Sequence, residues 1–231
     1  AFRIANTGRK GPVLIDITKD VTAAVTDFEK KEKIEIKDDT VINEEELKTV
    51  ADIINNAKKP VVMFGGGVVS SNASDLALEL VEKANIPSCH TLMAAGVIGY
   101  NNPLNLGLLG MHGSYTTNKA VDDADVLIAI GTRFSDRVAL DTNDFAKKAT
   151  IIQIDIDLSE INKNVAVDYY VIGDVKKVLE NLLPLIKKNH TEKADEVFNL
   201  LAKHFSCSYD ASGSIGKRYR RADAIGTPFC I

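Results

Sequence analysis

The chain has little that would staple it, anchor it in a membrane or hold it by charge. Only three cysteines occur in 231 residues: Cys89, Cys207 and Cys230. They are too few and too scattered for a disulfide framework or a zinc site, which fits a reducing compartment. No run of about 18 apolar residues is present, so no membrane-spanning helix is expected. Positive charge is not in excess, because 28 Lys and Arg stand against 32 Asp and Glu, a formal net charge of -4. General nucleic-acid binders are usually basic, so that class is disfavoured. Catalytic signatures are also missing. No Ser/His/Asp or Cys/His arrangement has a recognisable elbow, there is no Walker loop, and no Glu or His sits in a general-base setting. Neither a catalytic residue nor a metal ligand is assigned, and the chain reads as a binding domain. Its start, AFRIANTGRKGPV, is not a signal peptide and has no Met; it enters mid-pattern, as a cut from something longer would.

The hydrophobic fraction of 45% suits a protein with a substantial core, and the length suits one large α/β domain or one plus a fragment. PVVMFGG (60–66), VLIAIGT (126–132) and IIQIDID (151–157) read as buried strands, with IPSCHTLM (86–93) and DYYVIGD (168–174) as further candidates. These runs are near-continuously apolar rather than alternating, as in a parallel sheet covered on both faces. Between them lie helical stripes. Leu47, Val50, Ala51, Ile54 and Ala57 form one, opened by Asn43 with Glu46 three residues on. Val175, Val178, Leu179, Leu182 and Leu183 form another, after Asp174. This alternation gives an α/β class: a Rossmann-like, doubly wound parallel sheet over about 43–188. Residues 1–42 read as a segment and linker from a preceding domain, with one strand candidate at Val13–Ile17 and an exposed charged stretch over Asp27–Asp39.

Four loops could carry binding chemistry. Gly65-Gly66-Gly67, leading to Ser70-Ser71-Asn72, lies between a strand and a helix, where glycines allow close approach and a helix start attracts phosphate. Ser70 stands where the third glycine of a dinucleotide fingerprint belongs, and no acidic residue ends a second strand at the required distance. A plain turn and cap is an equal reading. Leu109-Gly110-Met111-His112-Gly113 has no partners at metal-ligand spacing, so a turn with a packed Met competes with a site. Gly131-Thr132-Arg133, followed by Asp136-Arg137, sits just past a strand end, where ligands bind in open parallel sheets. A guanidinium fork there suits a diphosphate or carboxylate. Asp155, Asp157 and Asp174 end strands, where they either hold ribose and adenine groups or simply start turns. The four loops are expected to meet on one edge of the sheet, and this convergence favours a cofactor site.

Those loops resemble acetohydroxyacid synthase (acetolactate synthase) large subunits. The stretches that carry the resemblance are TGRKGPVLIDITKDV (7–21), KKPVVMFGGGV, PSCHTLMAAGVI, NLGLLGMHGSY, VLIAIGTRFSDRV, IIQIDIDLSEI and VIGDVK. The resemblance implies a central domain of the thiamine-diphosphate-enzyme type that binds FAD, a flavin without a net redox role in the main reaction. It implies that Arg9, Gly65, Gly66, Thr91, Leu92, Met93, Gly110, Met111, His112, Gly131, Arg133, Asp155, Ile156, Asp174 and Val175 line the FAD. It implies that Lys19, Asp136 and Arg137 belong to the substrate channel. In the full enzyme two 2-oxo acids condense, as pyruvate to acetolactate, in branched-chain amino-acid biosynthesis. That step needs thiamine diphosphate with Mg²⁺, an activating Glu from an N-terminal domain and a Gly-Asp-…-Asn metal motif from a C-terminal domain, and neither the Glu nor the motif is present here. The cofactor carries that chemistry, so this chain alone is expected to be inactive. Further implied are a homodimer or homotetramer, a regulatory subunit and a bacterial, cytoplasmic setting.

From about Lys188 this resemblance stops. Asn189 and Glu192 can open a helix, and Lys217, Arg218, Arg220 and Arg221 give a basic face in YDASGSIGKRYRRADAIGTPFCI. The 189–231 tail resembles part of the glycyl-tRNA synthetase anticodon-binding domain, which implies a partial α/β appendage. LLPLIKKN (182–189) suits a helix end in one family or a first strand in the other, and Pro184 is awkward inside a helix. Two alternatives to the flavin domain stay open: a tRNA-binding module on an α/β carrier, and a nicotinamide-binding domain of similar fold.

Overall fold

The computed structural model describes residues 1–30, 32 and 41–188. Most of the charged stretch within 27–39, and the whole 189–231 tail with its basic cluster, lie outside the described residues. Contacts separate the chain into two units, Ala1–Val41 and Ile42–Ile231.

In the first unit, α1 (Phe2–Ala5) and α2 (Lys19–Ala23) bury no residue. The strand expected at Val13–Ile17 does not form, and Val13, Leu14, Ile15 and Ile17 are exposed. A strand exists through ladder bonds to a neighbour, and no described strand pairs with this run.

The second unit runs α3 (Glu44–Asn56), β1 (Pro60–Phe64), α4 (Gly66–Ser70), α5 (Ser74–Ala84), β2 (Ser88–His90) and β3 (Asn105–Leu108). It continues through α6 (Tyr115–Asp122), β4 (Val126–Ile130), β5 (Thr150–Asp155), β6 (Tyr169–Ile172) and α7 (Val175–Leu182). The six strands among the described residues are all parallel, in the order β3-β2-β1-β4-β5-β6. This is the doubly wound topology that the apolar runs predict, with the strand order reversing between β1 and β4.

Both faces of the central strands are covered, which is why their sequences do not alternate. Val62, Phe64, Ile128, Ile130, Ile152 and Ile154 pack with α3, α5 and α7 in one layer. Val61, Met63, Leu127, Ala129 and Ile151 face the other way, onto Leu109, Val121, Phe134, Val138 and Val165. That second layer has little helix over it, since α6 buries only Thr117 and Val121. Irregular chain between β4 and β5, with shorter pieces after β3 and between β5 and β6, covers the rest, including an edge-on Phe134–Phe145 pair at 5.7 Å.

The helix stripes follow the predicted spacing. Asn43 caps α3, its Oδ1 accepting from the amides of Glu45 and Glu46 at 3.0 and 3.3 Å. Asp174 caps α7 in the same way through Lys176 and Lys177. Each such cap is worth about 1 kcal/mol. α7 buries Val175, Val178, Leu179 and Leu182. Beyond it the chain makes a 3-10 turn, Leu183–Leu185, with Pro184 in its first turn, where the missing N–H is not needed. The chain over 182–187 is thus a helix end and turn, not a strand. Lys83 Nζ donates to the Leu183 carbonyl at 2.6 Å, and Asn55 grips both the Leu185 carbonyl and the Lys187 amide at 2.9 Å.

Sequence periodicity leaves β3 and α6 invisible. β3 is four half-buried residues containing a left-handed glycine, Gly107, and α6 is mostly polar. No helix among the described residues is long and apolar enough to cross a membrane.

Candidate functional site

Parallel strands put all six carboxyl ends on one rim, and a ladder of backbone bonds extends across it. Leu109 N donates to His90 O, Thr91 N to Phe64 O, Gly65 N to Ile130 O, Gly131 N to Ile154 O and Gly173 N to Asp155 O, at 2.8 to 3.0 Å. Five inter-strand gaps make this rim about 24 Å long. Gly65, Gly66, Thr91, Leu92, Met93, Gly110, Met111, His112, Gly131, Arg133, Asp155, Ile156, Asp174 and Val175 all lie on it or within a few residues of a strand end. Asp136 and Arg137 follow in the loop after β4. Arg9 and Lys19 lie in the first unit, in the bend after α1 and at the first residue of α2.

The glycine run after β1 is explained by packing within the chain. A Cβ on Gly65 would collide with the Gly131 carbonyl, and one on Gly67 would come within 2.6 Å of Gly131 Cα. The loops after β1 and β4 therefore touch backbone to backbone at the point where strand order reverses. Gly66 faces Met93, whose Cβ would lie 3.1 Å from an added methyl. α4 spans only five residues before α5 begins.

The loops after β3 and β4 also meet, although three strand spacings separate their strands. Met111 N donates to Arg137 O at 2.9 Å, and Gly110, with φ +97°, packs onto the Arg137 and Val138 backbone. Asn118 in α6 holds Gly110 from the other side, accepting from its amide at 2.9 Å and donating to its carbonyl at 3.1 Å. Gln153 Nε2 donates to Thr132 O at 3.0 Å and Asn164 Nδ2 to Arg133 O at 3.0 Å. Motif reading missed these three amides, because each lies 8 to 31 residues from its target. Only the long-range contact gives them a role.

The rim's side chains divide by chemistry. Leu92 and Met93 are 75% and 74% exposed, unusual for large apolar groups, and Met111 is 48% exposed. Arg133 and His112 are exposed beside them. The Arg133 guanidinium has no ion pair or hydrogen bond among the described residues. Arg137 forms an exposed ion pair with Asp136 at 3.6 Å and lies 3.9 Å from the Met111 sulfur. The acidic strand ends serve local turns: Asp155 accepts from Asp157 N, Asp157 from Ser159 N, and Asp174 caps α7. No group of three or more His, Cys, Asp or Glu among the described residues could hold a metal ion.

Comparison with known proteins gives two family matches. The thiamine pyrophosphate enzyme central domain matches residues 47–182, and the anticodon binding domain matches residues 175–231. Among curated relatives, the probable acetolactate synthase large subunit of Methanocaldococcus jannaschii is 48% identical over 189 residues, covering 79% of this chain and 32% of that protein. That of Methanococcus aeolicus is 43% identical over 206 residues, 85% of this chain and 34% of the relative. The acetolactate synthase isozyme 1 large subunit of Escherichia coli is 41% identical over 208 residues, 90% of this chain and 37% of the relative. The chain spans about a third of the length of the curated relatives it matches.

Proposed function

Since this chain belongs to the thiamine pyrophosphate enzyme central-domain family and carries an anticodon-binding-like tail, we propose that it is the FAD-binding central domain of an acetolactate synthase large subunit. The observation that carries this reading is a guanidinium without a partner among the described residues, Arg133, on the same strand-end rim as the exposed apolar side chains Leu92, Met93 and Met111. A flavin dinucleotide is an anionic diphosphate between two flat ring systems, and this donor set fits both parts. Arg133 would hold the diphosphate by paired hydrogen bonds. The Leu and Met side chains would lie against rings. Asp136 and Arg137 would belong to the mouth of the substrate channel.

In the complete enzyme, thiamine diphosphate with Mg²⁺ supplies the carbanion chemistry that condenses two 2-oxo acids, and FAD supplies no net redox step. This chain's residues bind and orient the flavin. The condensing activity, a homodimeric or homotetrameric assembly and a regulatory subunit belong to the proposal for the whole protein. A cytoplasmic setting is part of the same reading. Relatives come from archaeal and bacterial sources alike, so a bacterial origin is not singled out.

The test is titration of the full chain with FAD, followed by flavin fluorescence and visible absorbance, with NAD as control. Saturable quenching by FAD is expected, weakened about tenfold or more (1.4 kcal/mol per tenfold) in Arg133→Ala. Equal binding of NAD, or an Arg133→Ala affinity equal to that of the parent, contradicts the reading. A salt-dependent affinity for tRNA without FAD binding would favour the tail as the functional part.

A further inference from the structure

Two of the rim loops have no regular secondary structure, yet they contain left-handed backbone at Gly110, Gly131 and Phe134. Such loops do not hold their shape through local preference, and each buried polar group in them needs a partner. Side-chain amides fill that need. A carboxamide offers one acceptor and two donors in a plane, so it can stand in for a strand's peptide group. Asn118 does so at Gly110, closing both the amide and the carbonyl. Gln153 and Asn164 take the consecutive carbonyls of Thr132 and Arg133. The Met111 amide then joins the two loops through Arg137 O.

Gln153 is the most telling of the three. It is fully buried in the apolar layer beneath this rim, and its Oε1 has no hydrogen-bond partner among the described residues. An unsatisfied buried amide oxygen costs stability, and an apolar residue of similar size would avoid that cost. The bond from Nε2 to Thr132 O is the one thing Gln153 supplies that a Leu or Met could not. It fixes the peptide immediately before Arg133, and Asn164 fixes the one after.

We propose that Asn118, Gln153 and Asn164 are positioning residues of the flavin rim, holding the Gly110–Met111, Thr132–Arg133 and Arg133–Phe134 peptides in the conformation that presents the Arg133 guanidinium and Met111. The proposal rests on the flavin reading of the rim. None of the three is required to touch the cofactor.

The experiment uses the full chain with Asn118→Ala, Gln153→Met and Asn164→Ala, and Gln153→Met combined with Arg133→Ala. Gln153→Met and Asn164→Ala are each expected to weaken FAD binding about tenfold, with the melting temperature within about 3 °C of the parent. The double variant should bind no more weakly than Arg133→Ala alone, because both changes act through one guanidinium. A purely structural role would lower the melting temperature and leave FAD affinity unchanged, or add to the Arg133 loss, and either result overturns the proposal. Amide hydrogen exchange separates this outcome from failure of the flavin reading. If the parent does not bind FAD, Asn118→Ala must still speed exchange at the Gly110 and Met111 amides. Unchanged exchange there removes the proposed clamp.

Discussion

The amide of Met111 donates to the carbonyl of Arg137 at 2.9 Å, joining the loop after β3 to the loop after β4 across two intervening strands. These residues come from the two motifs that most strongly carry the family resemblance. Nothing in their 26-residue separation requires them to meet. They meet because α6 carries the chain back across the second face of the sheet, and because the β4–β5 connection lies over that face.

This junction predicts that Gly110→Ala is severely destabilising. The residue has φ +97°, and its Cβ would collide with the Arg137 carbonyl. Left-handed strain and overpacking together amount to about 2–4 kcal/mol. Urea denaturation should show the midpoint falling without a change of slope. Gly107→Ala is the control: its φ is also +97°, but its Cβ direction is open, so only the strain component should remain.

Asp174 is a candidate cofactor residue that also caps α7. Asp174→Asn keeps the capping oxygen and should leave stability nearly unchanged, whereas Asp174→Ala should lower it by about 1 kcal/mol. If Asp174→Asn also leaves FAD affinity unchanged, the carboxylate serves the helix and not the cofactor.

Cys89 lies in β2 with its thiol wholly buried, and desolvation pushes its pKa up to about 12. In a Cys207→Ser, Cys230→Ser background, the folded protein should not react with a thiol reagent at pH 8 and should react once unfolded. The sign of the pH effect follows from the raised value. Above the unfolded pKa near 9 the unfolded chain loses a proton that the native chain keeps. Stability from this group is therefore full below about pH 9 and falls between there and about pH 12, by up to about 1.4 kcal/mol per pH unit. Cys89→Ala should flatten that part of the stability profile.

The clip at the end of α7 makes a separate prediction. Both family models claim residues 175–182, and the fold commits them to the helix layer of the sheet. Asn55→Ala removes two bonds to the chain after α7 and should cost about 2 kcal/mol in the domain's unfolding. A Gly-Ser insertion after Lys188 should cost almost nothing, whereas the same insertion between Leu182 and Leu183 should be as damaging as Asn55→Ala. Equal effects at both sites would place the domain's edge elsewhere.

Local chemistry in the chain determined the sheet and its helices. Runs such as VLIAI and IIQID are apolar on both faces, so only a doubly covered parallel strand accommodates them, and Asn43 and Asp174 announce helix starts through one side-chain oxygen each. The glycine, arginine and aspartate positions on the rim were legible too, because parallel strands send all their carboxyl ends the same way. Tertiary structure alone decided what most of those residues contact. It made Gly65 and Gly67 packing residues against Gly131, left Val13–Ile17 without a ladder partner among the described residues, and settled 182–187 as helix end and turn. It also brought Asn118, Gln153 and Asn164 to loops far away in sequence. A hydrogen bond depends on where two groups end up in space, and periodicity along the chain records only which face a side chain takes on its own element.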